Sequence, residues 1–206
     1  MPHSREYKLE ACVVSLDQAL AAEARGADRV EICDRLETEG MTPDAGLVRT
    51  LCQILHIPIR VMIRETEVGY EADTFILGKM KASIDELKSL PIEGFVIGLL
   101  KDNRLDREAL GELILVCDPF PVTIHKAIDL SASMLDDLDW LNAFQNVDTV
   151  LSSGGAIKAM DGVDQLLKMK SVFKGNVMAA GKIVPEQLVE LHDTLRLNWY
   201  HGRAIV

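Results

Sequence analysis

Val122-Thr123-Ile124-His125-Lys126-Ala127-Ile128-Asp129 is the stretch whose reading decides the fold. Three β-branched or apolar residues open it, which favours a buried strand. Pro119 and Pro121 stand just before it, and Ser131-Ala132-Ser133 marks a turn after it. Its far end presents an imidazole, an ammonium and a carboxylate. Parallel α/β proteins carry their sites in this way, at the carboxyl ends of apolar strands.

Outward from this stretch the same unit recurs. Strands are expected at 7–14, 29–33, 59–64 and 94–100 before it, and at 149–152, 176–180 and 198–201 after it. Amphipathic helical patterns fall at 16–25, 44–55, 73–90, 105–116, 134–144 and 156–172, the last interrupted at Gly162, with a seventh from Pro185. Ser15 suits an N-cap, Gly26 a C′ position and Pro185 the N1 position. Eight apolar runs thus alternate with seven helices. Each parallel crossover needs a helix, so the sheet is expected to be parallel. Eight units close into a TIM (β/α)₈-type barrel. Gly202-Arg203-Ala204-Ile205-Val206 is too short for an eighth helix, which is therefore missing or truncated. The outer face left between helices seven and one calls for cover by the N-terminal segment or a second subunit. No linker or shift in composition divides residues 1–206, so a single domain is expected. An open doubly wound sheet is the alternative, but nothing marks where its strand order would reverse.

The totals narrow the partners. Of 206 residues, 48% are apolar and 26% charged, enough for a packed core rather than disorder. A net charge of −10 without a basic stripe argues against nucleic acid and anionic membranes. No apolar run approaches the roughly 18 residues of a membrane span, and Met1-Pro2-His3-Ser4 does not open a signal peptide. A cytoplasmic protein is expected. Its four cysteines, Cys12, Cys33, Cys52 and Cys117, show no close pairing and should be thiols.

Alternation along the strands decides which side chains meet inside the barrel. Glu10 and Cys12 share one face, as do Glu31 and Cys33 on the next strand. Arg64, His125, Ser152 with Ser153, and His201 stand at other strand ends. These ends would form a polar pocket, with Glu31 and His125 as acid/base groups and Arg64 as an anion clamp. Pairing of Arg64 with Glu10 or Glu31 would offset its burial. A structural ion-pair layer is the competing reading. Cys12 and Cys33 with an imidazole suit Cu(I) or zinc, although buried cysteine also packs as a small apolar residue. Ser152-Ser153-Gly154-Gly155 and Ala179-Ala180-Gly181-Lys182 expose backbone N–H groups that can cradle a phosphate. His3, His56 and His192 read as surface or helix-end residues.

Several blocks resemble the copper homeostasis protein CutC family. They are Leu9-Glu10-Ala11-Cys12, Gly26-Ala27-Asp28-Arg29-Val30-Glu31-Ile32-Cys33, Glu39-Gly40-Met41-Thr42-Pro43 and Met62-Ile63-Arg64. The stretch 122–129, Val150-Leu151-Ser152-Ser153-Gly154-Gly155 and Val177-Met178-Ala179-Ala180-Gly181 continue the match in order. The resemblance implies a TIM barrel, a cytoplasmic location, a homo-oligomer and a role in copper homeostasis. It carries over Glu10, Cys12, Glu31, Cys33, Arg64, His125, Asp129 and His201 as site positions. The sequence departs from the family where Glu65-Thr66-Glu67-Val68-Gly69-Tyr70 follows Arg64, in place of a second arginine and a glycine-rich loop. Two functions follow as expectations. One is copper binding, with Cys12, Cys33, His125 and His201 as ligands. The other is an enzyme acting on a small phosphorylated or carboxylated metabolite, with Glu10, Asp129, Ser152, Ser153, Gly154, Gly181 and His201 around the catalytic Glu31, His125 and Arg64.

Overall fold

The computed structural model describes residues 5–206, so the reading of Met1-Pro2-His3-Ser4 lies outside the described residues. The first four strands are β1 (Lys8–Val13), β2 (Arg29–Ile32), β3 (Ile59–Met62) and β4 (Gly94–Ile97). A short antiparallel hairpin follows, β5 (Leu100–Lys101) with β6 (Arg104–Leu105). Then come β7 (Val122–Ile124), β8 (Val147–Ser152), β9 (Asn176–Ala179) and β10 (Trp199–Gly202). Apart from the hairpin, all are parallel and close in the order β1-β10-β9-β8-β7-β4-β3-β2. Seven helices surround them: α1 (Leu16–Ala24), α2 (Ala45–Ile54), α3 (Thr74–Leu87), α4 (Arg107–Cys117), α5 (Met134–Leu141), α6 (Val163–Val172) and α7 (Leu188–Leu195). The barrel and its seven-helix ring are those expected from the alternation. Among the described residues no helix is long and apolar enough to cross a membrane.

Local chemistry starts these helices. Ser15, Asp44, Asp73 and Asp106 each sit at an N-cap and accept from the backbone N–H three residues on. The outward side chains of the strands, such as Val30, Val61, Phe95 and Ile124, pack with Leu51, Ile84, Leu110 and Leu191 of the helices into the main core. Full burial of each aliphatic side chain contributes roughly 1.5–3 kcal/mol. Tyr7 and Ile205 pack against the face beside β10, where an eighth helix would lie. Tyr7 packs on His192 and Tyr200, with ring centroids 4.7 and 5.3 Å away. Ile205 folds back over Gly202 and is buried. His192 is a helix-end residue, in the last turn of α7, but not a surface one: it is buried and its Nδ1 pairs with the Tyr200 hydroxyl at 3.2 Å.

Three expectations change in detail. The strand of the opening stretch ends at Ile124, and Lys126–Leu130 winds into a 3₁₀ turn capped by His125. The strand expected at 94–100 stops at Ile97, because Leu100 belongs to the hairpin; Asp102 and Asn103 take its positive-φ turn positions. The pattern at 156–172 becomes a 3₁₀ turn at Ala159–Gly162 and then α6, with the division at Gly162.

The inside of the barrel divides by height. Near the amino ends of the strands lies an ion layer. Arg60 makes a bidentate pair with Asp148, Nη1 to Oδ1 at 2.8 Å and Nη2 to Oδ2 at 2.6 Å, and its Nε donates to Glu93 Oε2 at 2.8 Å. Arg29 shares the same Glu93 oxygen at 2.9 Å, lies over the Trp199 ring at 4.0 Å and donates to Glu10 Oε2 at 2.5 Å. Higher up, Cys12, Cys33, Met62 and Val96 form one small apolar cluster, and Leu151, Met178 and Ala180 another. Glu10 and Arg29 are both almost wholly buried, and losing Glu10 leaves Arg29 with Glu93 alone and takes away the carboxylate that holds His201. The substitution Glu10→Gln is expected to destabilise the fold by on the order of 3 kcal/mol in urea unfolding; an unchanged midpoint would contradict this account of the layer.

Candidate metal and polar site at the barrel mouth

The ion layer continues upward into the site. Glu10 Oε1 pairs with His201 Nδ1 at 2.8 Å, and His201 Nε2 lies 3.5 Å from Glu31 Oε2. Burial opposes the charge of Glu10, but the Arg29 guanidinium and His201 outweigh it and hold the carboxyl at about 2. Burial likewise opposes a charged His201, yet Glu31 and Glu10 leave its pKa above the usual imidazole value. Burial raises Glu31, helped by its neighbour Glu10. One imidazole thus bridges two carboxylates of adjacent strands.

Beyond Glu31 come the thiols. Cys12 Sγ and Cys33 Sγ are 3.6 Å apart, and Cys33 Sγ–H points to the Val13 carbonyl at 3.8 Å. Ligand atoms of Cys12, Glu31 and Cys33 all lie within 4.8 Å of one another, and all three residues are buried. The hydrogen bond to Cys33, burial and the Glu31 charge push the Cys12 thiol well above its ordinary pKa. Glu31 Oε1 is buried without a hydrogen-bond partner. Parity brought these residues together because Cys12 stands beside Glu31 in the β1–β2 register, and Cys33 follows two residues later on the same face. Two thiols and one carboxylate fit a soft, low-coordinate cation. The expected imidazoles are placed differently: His201 touches Glu31 rather than the thiols, and His125 is on the far side of β3 and β4.

His125 caps the 3₁₀ turn, its Nδ1 accepting from the Ala127 N–H at 3.1 Å. That bond fixes the proton on Nε2 in the neutral ring. Burial, with the nearby Arg64 charge, lowers the His125 pKa to about 3. With its pKa lowered in this way the ring is neutral at neutral pH and presents the Nε2–H as a hydrogen-bond donor. The ring fits only because residue 98 is glycine: a Cβ there would stand 2.5 Å from His125 Cε1. Arg64 does not pair with Glu10 or Glu31. Its Nη1 donates to the carbonyls of Thr38 and of Gly40, the latter at 2.9 Å, and its Nη2 to Gly69 at 3.1 Å, while the guanidinium stacks on Tyr70. Glu10 took the nearer cation, Arg29, which stands opposite it in the β1–β2 register.

The glycine turn after β8 has the geometry of an anion cradle, and Asp129 occupies it. The carboxylate accepts from Ser153 N at 2.9 Å, Gly155 N at 3.1 Å and the Ser152 hydroxyl, with the Ser153 hydroxyl at 2.8 Å. The donors that a phosphate would use are thus engaged by the chain's own carboxylate. Gly154 is required there by a positive φ of 69° and by the Gly162 carbonyl, 2.3 Å from where its Cβ would be. Gly181 packs its backbone against Ser153 and the Ile157 carbonyl. The residues that sequence reasoning missed are Arg29, Arg60, Glu93 and Asp148. Parity of Arg29 with Glu31 was the available signal for the first of them.

Two outcomes follow. Removing the carboxylate in Asp129→Ala is expected to lower the melting temperature and to open the cradle, so that inorganic phosphate restores part of the loss; phosphate giving the same shift in wild type and variant would contradict the occupied cradle. His125, held below its unfolded value, binds a proton on unfolding, so its contribution is complete above about pH 6.5 and disappears as pH falls toward 3. Between about pH 5 and 6 the stability of the wild type should therefore rise with pH more steeply than that of His125→Gln, by about 1.4 kcal/mol per pH unit; equal slopes would contradict it.

Comparison with known proteins agrees with this architecture. A model of the CutC family matches residues 7–206. The copper homeostasis protein cutC homolog of Caenorhabditis elegans is 31% identical over 98% of this chain and 82% of its own length. The homolog of the same name from Homo sapiens is 33% identical over 96% of this chain and 73% of its own. The crystal structure of the putative copper homeostasis protein CutC from Streptococcus agalactiae superposes with a TM-score of 0.91, at 23% identity, covering 97% of this chain and all of that one. With the family model matched from Tyr7 to the last residue and relatives this similar along nearly the whole barrel, the chain belongs to the CutC family.

Proposed function

We propose that this protein binds Cu(I) at the mouth of its barrel and serves copper homeostasis in the cytoplasm. The carrying observation is the convergence of Cys12 Sγ, Cys33 Sγ and a Glu31 carboxylate oxygen within 4.8 Å. Thiolates are the protein ligands that best match a soft monovalent copper ion. Glu31 adds a harder carboxylate oxygen, and its Oε1 has no hydrogen-bond partner. The names of the two cutC homologs, copper homeostasis proteins both, support the same reading. A reducing compartment keeps such thiols available, and all four cysteines are free.

The chain's own residues have distinct parts in this reading. Cys12 and Cys33 hold the ion. Glu31 completes the set and balances charge. His201 and Glu10 fix Glu31 from behind, as a supporting carboxylate–imidazole pair orients a metal ligand. Met62 and Val96 close the apolar side of the thiol cluster and keep water from it.

Anaerobic titration of Cu(I) against a chromophoric chelator tests the proposal. One ion per chain is expected in wild type, with affinity reduced by about a hundredfold or more in Cys12→Ser, Cys33→Ser, since soft ligands have been exchanged for hard ones. Cu(I) binding of equal strength in both would overturn it.

A further inference from the structure

Arg64 is a buried cation without a carboxylate. Its side chain is 4% exposed, and all of its hydrogen bonds go to main-chain carbonyls, those of Thr38, Gly40, Glu67 and Gly69. Arg29 and Arg60, which are buried to the same degree, each have two carboxylates, and Arg104 and Arg107 share Asp136 and Asp137. Among the described residues Arg64 makes no ion pair at all. Neutral carbonyls solvate a guanidinium but leave its charge uncompensated, and that is costly away from water. Its Nε–H, moreover, is buried with no partner.

A second orphan belongs to a residue that contacts the same tyrosine, Tyr70. The Ala127 N–H occupies His125 Nδ1, so the ring must carry its proton on Nε2, and that N–H is likewise buried and unpartnered. The two residues are brought together by Tyr70. Its ring stacks on the Arg64 guanidinium at 4.7 Å and lies 5.1 Å from the His125 ring. Gly98, at the end of the intervening strand β4, leaves His125 room to lean across it. Tyr70 itself is only partly buried, and Val68, two residues before it, is 91% exposed. Tyr70 is thus in contact with both residues that carry an orphan donor.

We propose that Arg64 and His125 form a binding site for a small organic carboxylate beneath Tyr70. The missing counter-charge of Arg64 is then the ligand. Two free N–H donors, one charged and one neutral, match the two oxygens of a single carboxylate group. A phosphate or sulfate would bring further oxygens, while the remaining Arg64 donors are already spent on carbonyls. This site is separate from the Cys12–Cys33–Glu31 set and takes a different ligand class. A barrel mouth with both would hold a soft cation against β1 and β2 and an organic anion between β3 and β7.

The test uses the full chain labelled with ¹⁵N-histidine. Sodium acetate and sodium pyruvate are titrated, with sodium chloride and sodium phosphate at equal ionic strength as controls. The expected result is a saturable shift of the His125 Nε2–H resonance with the carboxylates and none with chloride or phosphate. Carboxylate affinity should fall about tenfold or more in His125→Phe, read by thermal shift, because a charge-assisted hydrogen bond is lost while the ring stays packed on Gly98. Arg64→Gln should abolish binding. Because Arg64 also ties down the 65–70 loop and its variant can unfold, the His125→Phe variant and the wild-type resonance carry the test without it. The Cys12→Ser, Cys33→Ser variant should keep its full response to acetate. The proposal is overturned by no saturable carboxylate shift in wild type, by an equal shift with chloride, or by undiminished carboxylate affinity in His125→Phe. Loss of the response in the double cysteine variant would also overturn it, by placing the ligand on the thiols.

Discussion

The contact on which the inside of this barrel depends is the ion pair between Arg29 and Glu10. Both groups are removed from water, and either alone would be too costly to keep there. Because Arg29 holds one oxygen of Glu10, the other is free to hold His201. His201 in turn sets Glu31 beside the two thiols. Beneath them Glu93 joins Arg29 to Arg60, and Arg60 is closed by Asp148. An alternating series of charges therefore runs from the amino ends of the strands to the mouth. In many barrels layers of branched apolar side chains fill this space. Here much of the filling is ionic, so the core below the site and the support of the site are the same set of residues.

This arrangement separates two kinds of polar group. The groups of the series are satisfied by one another and are structural until the series reaches Glu31. Among the described residues Glu31 Oε1, Arg64 Nε and His125 Nε2 are the unsatisfied side-chain atoms, and all three sit toward the carboxyl ends of the strands rather than where they begin. Buried polar atoms are seldom left unpaired in a native fold. Their placement at one end of the barrel is the physical reason to seek ligands there. The cradle after β8 shows the contrary case, because its donors are already satisfied by Asp129.

Much of the fold was legible because it rests on local and periodic signals. Eight apolar runs and seven amphipathic patterns dictated parallel closure, and the cap at Ser15 fixed the start of the first helix. The hairpin β5–β6 was not read, since two-residue strands carry no periodicity; the Asp102-Asn103 turn was its one local signal. Strand parity correctly put Cys12, Glu31 and Cys33 in one place. It failed at 125–129, where the chain leaves extended geometry and alternation no longer governs direction. That is why Asp129 turned back to fill the serine–glycine turn instead of facing the mouth. The partner of Arg64 was misread for another reason. Choice among several buried charges depends on register and distance, and Arg29, at the start of its strand, lay closer to Glu10 than any residue at the strand ends.

The central claim is that Cys12, Cys33 and Glu31 make one soft-metal centre positioned by the ionic series below it. Copper K-edge X-ray absorption on the Cu(I)-loaded chain addresses it most directly. The account predicts a Cu(I) edge with two sulfur neighbours and one lighter neighbour, the lighter one being lost in Glu31→Ala. A first shell of nitrogen and oxygen alone, or two sulfur neighbours that persist in Cys12→Ser, Cys33→Ser, would contradict it.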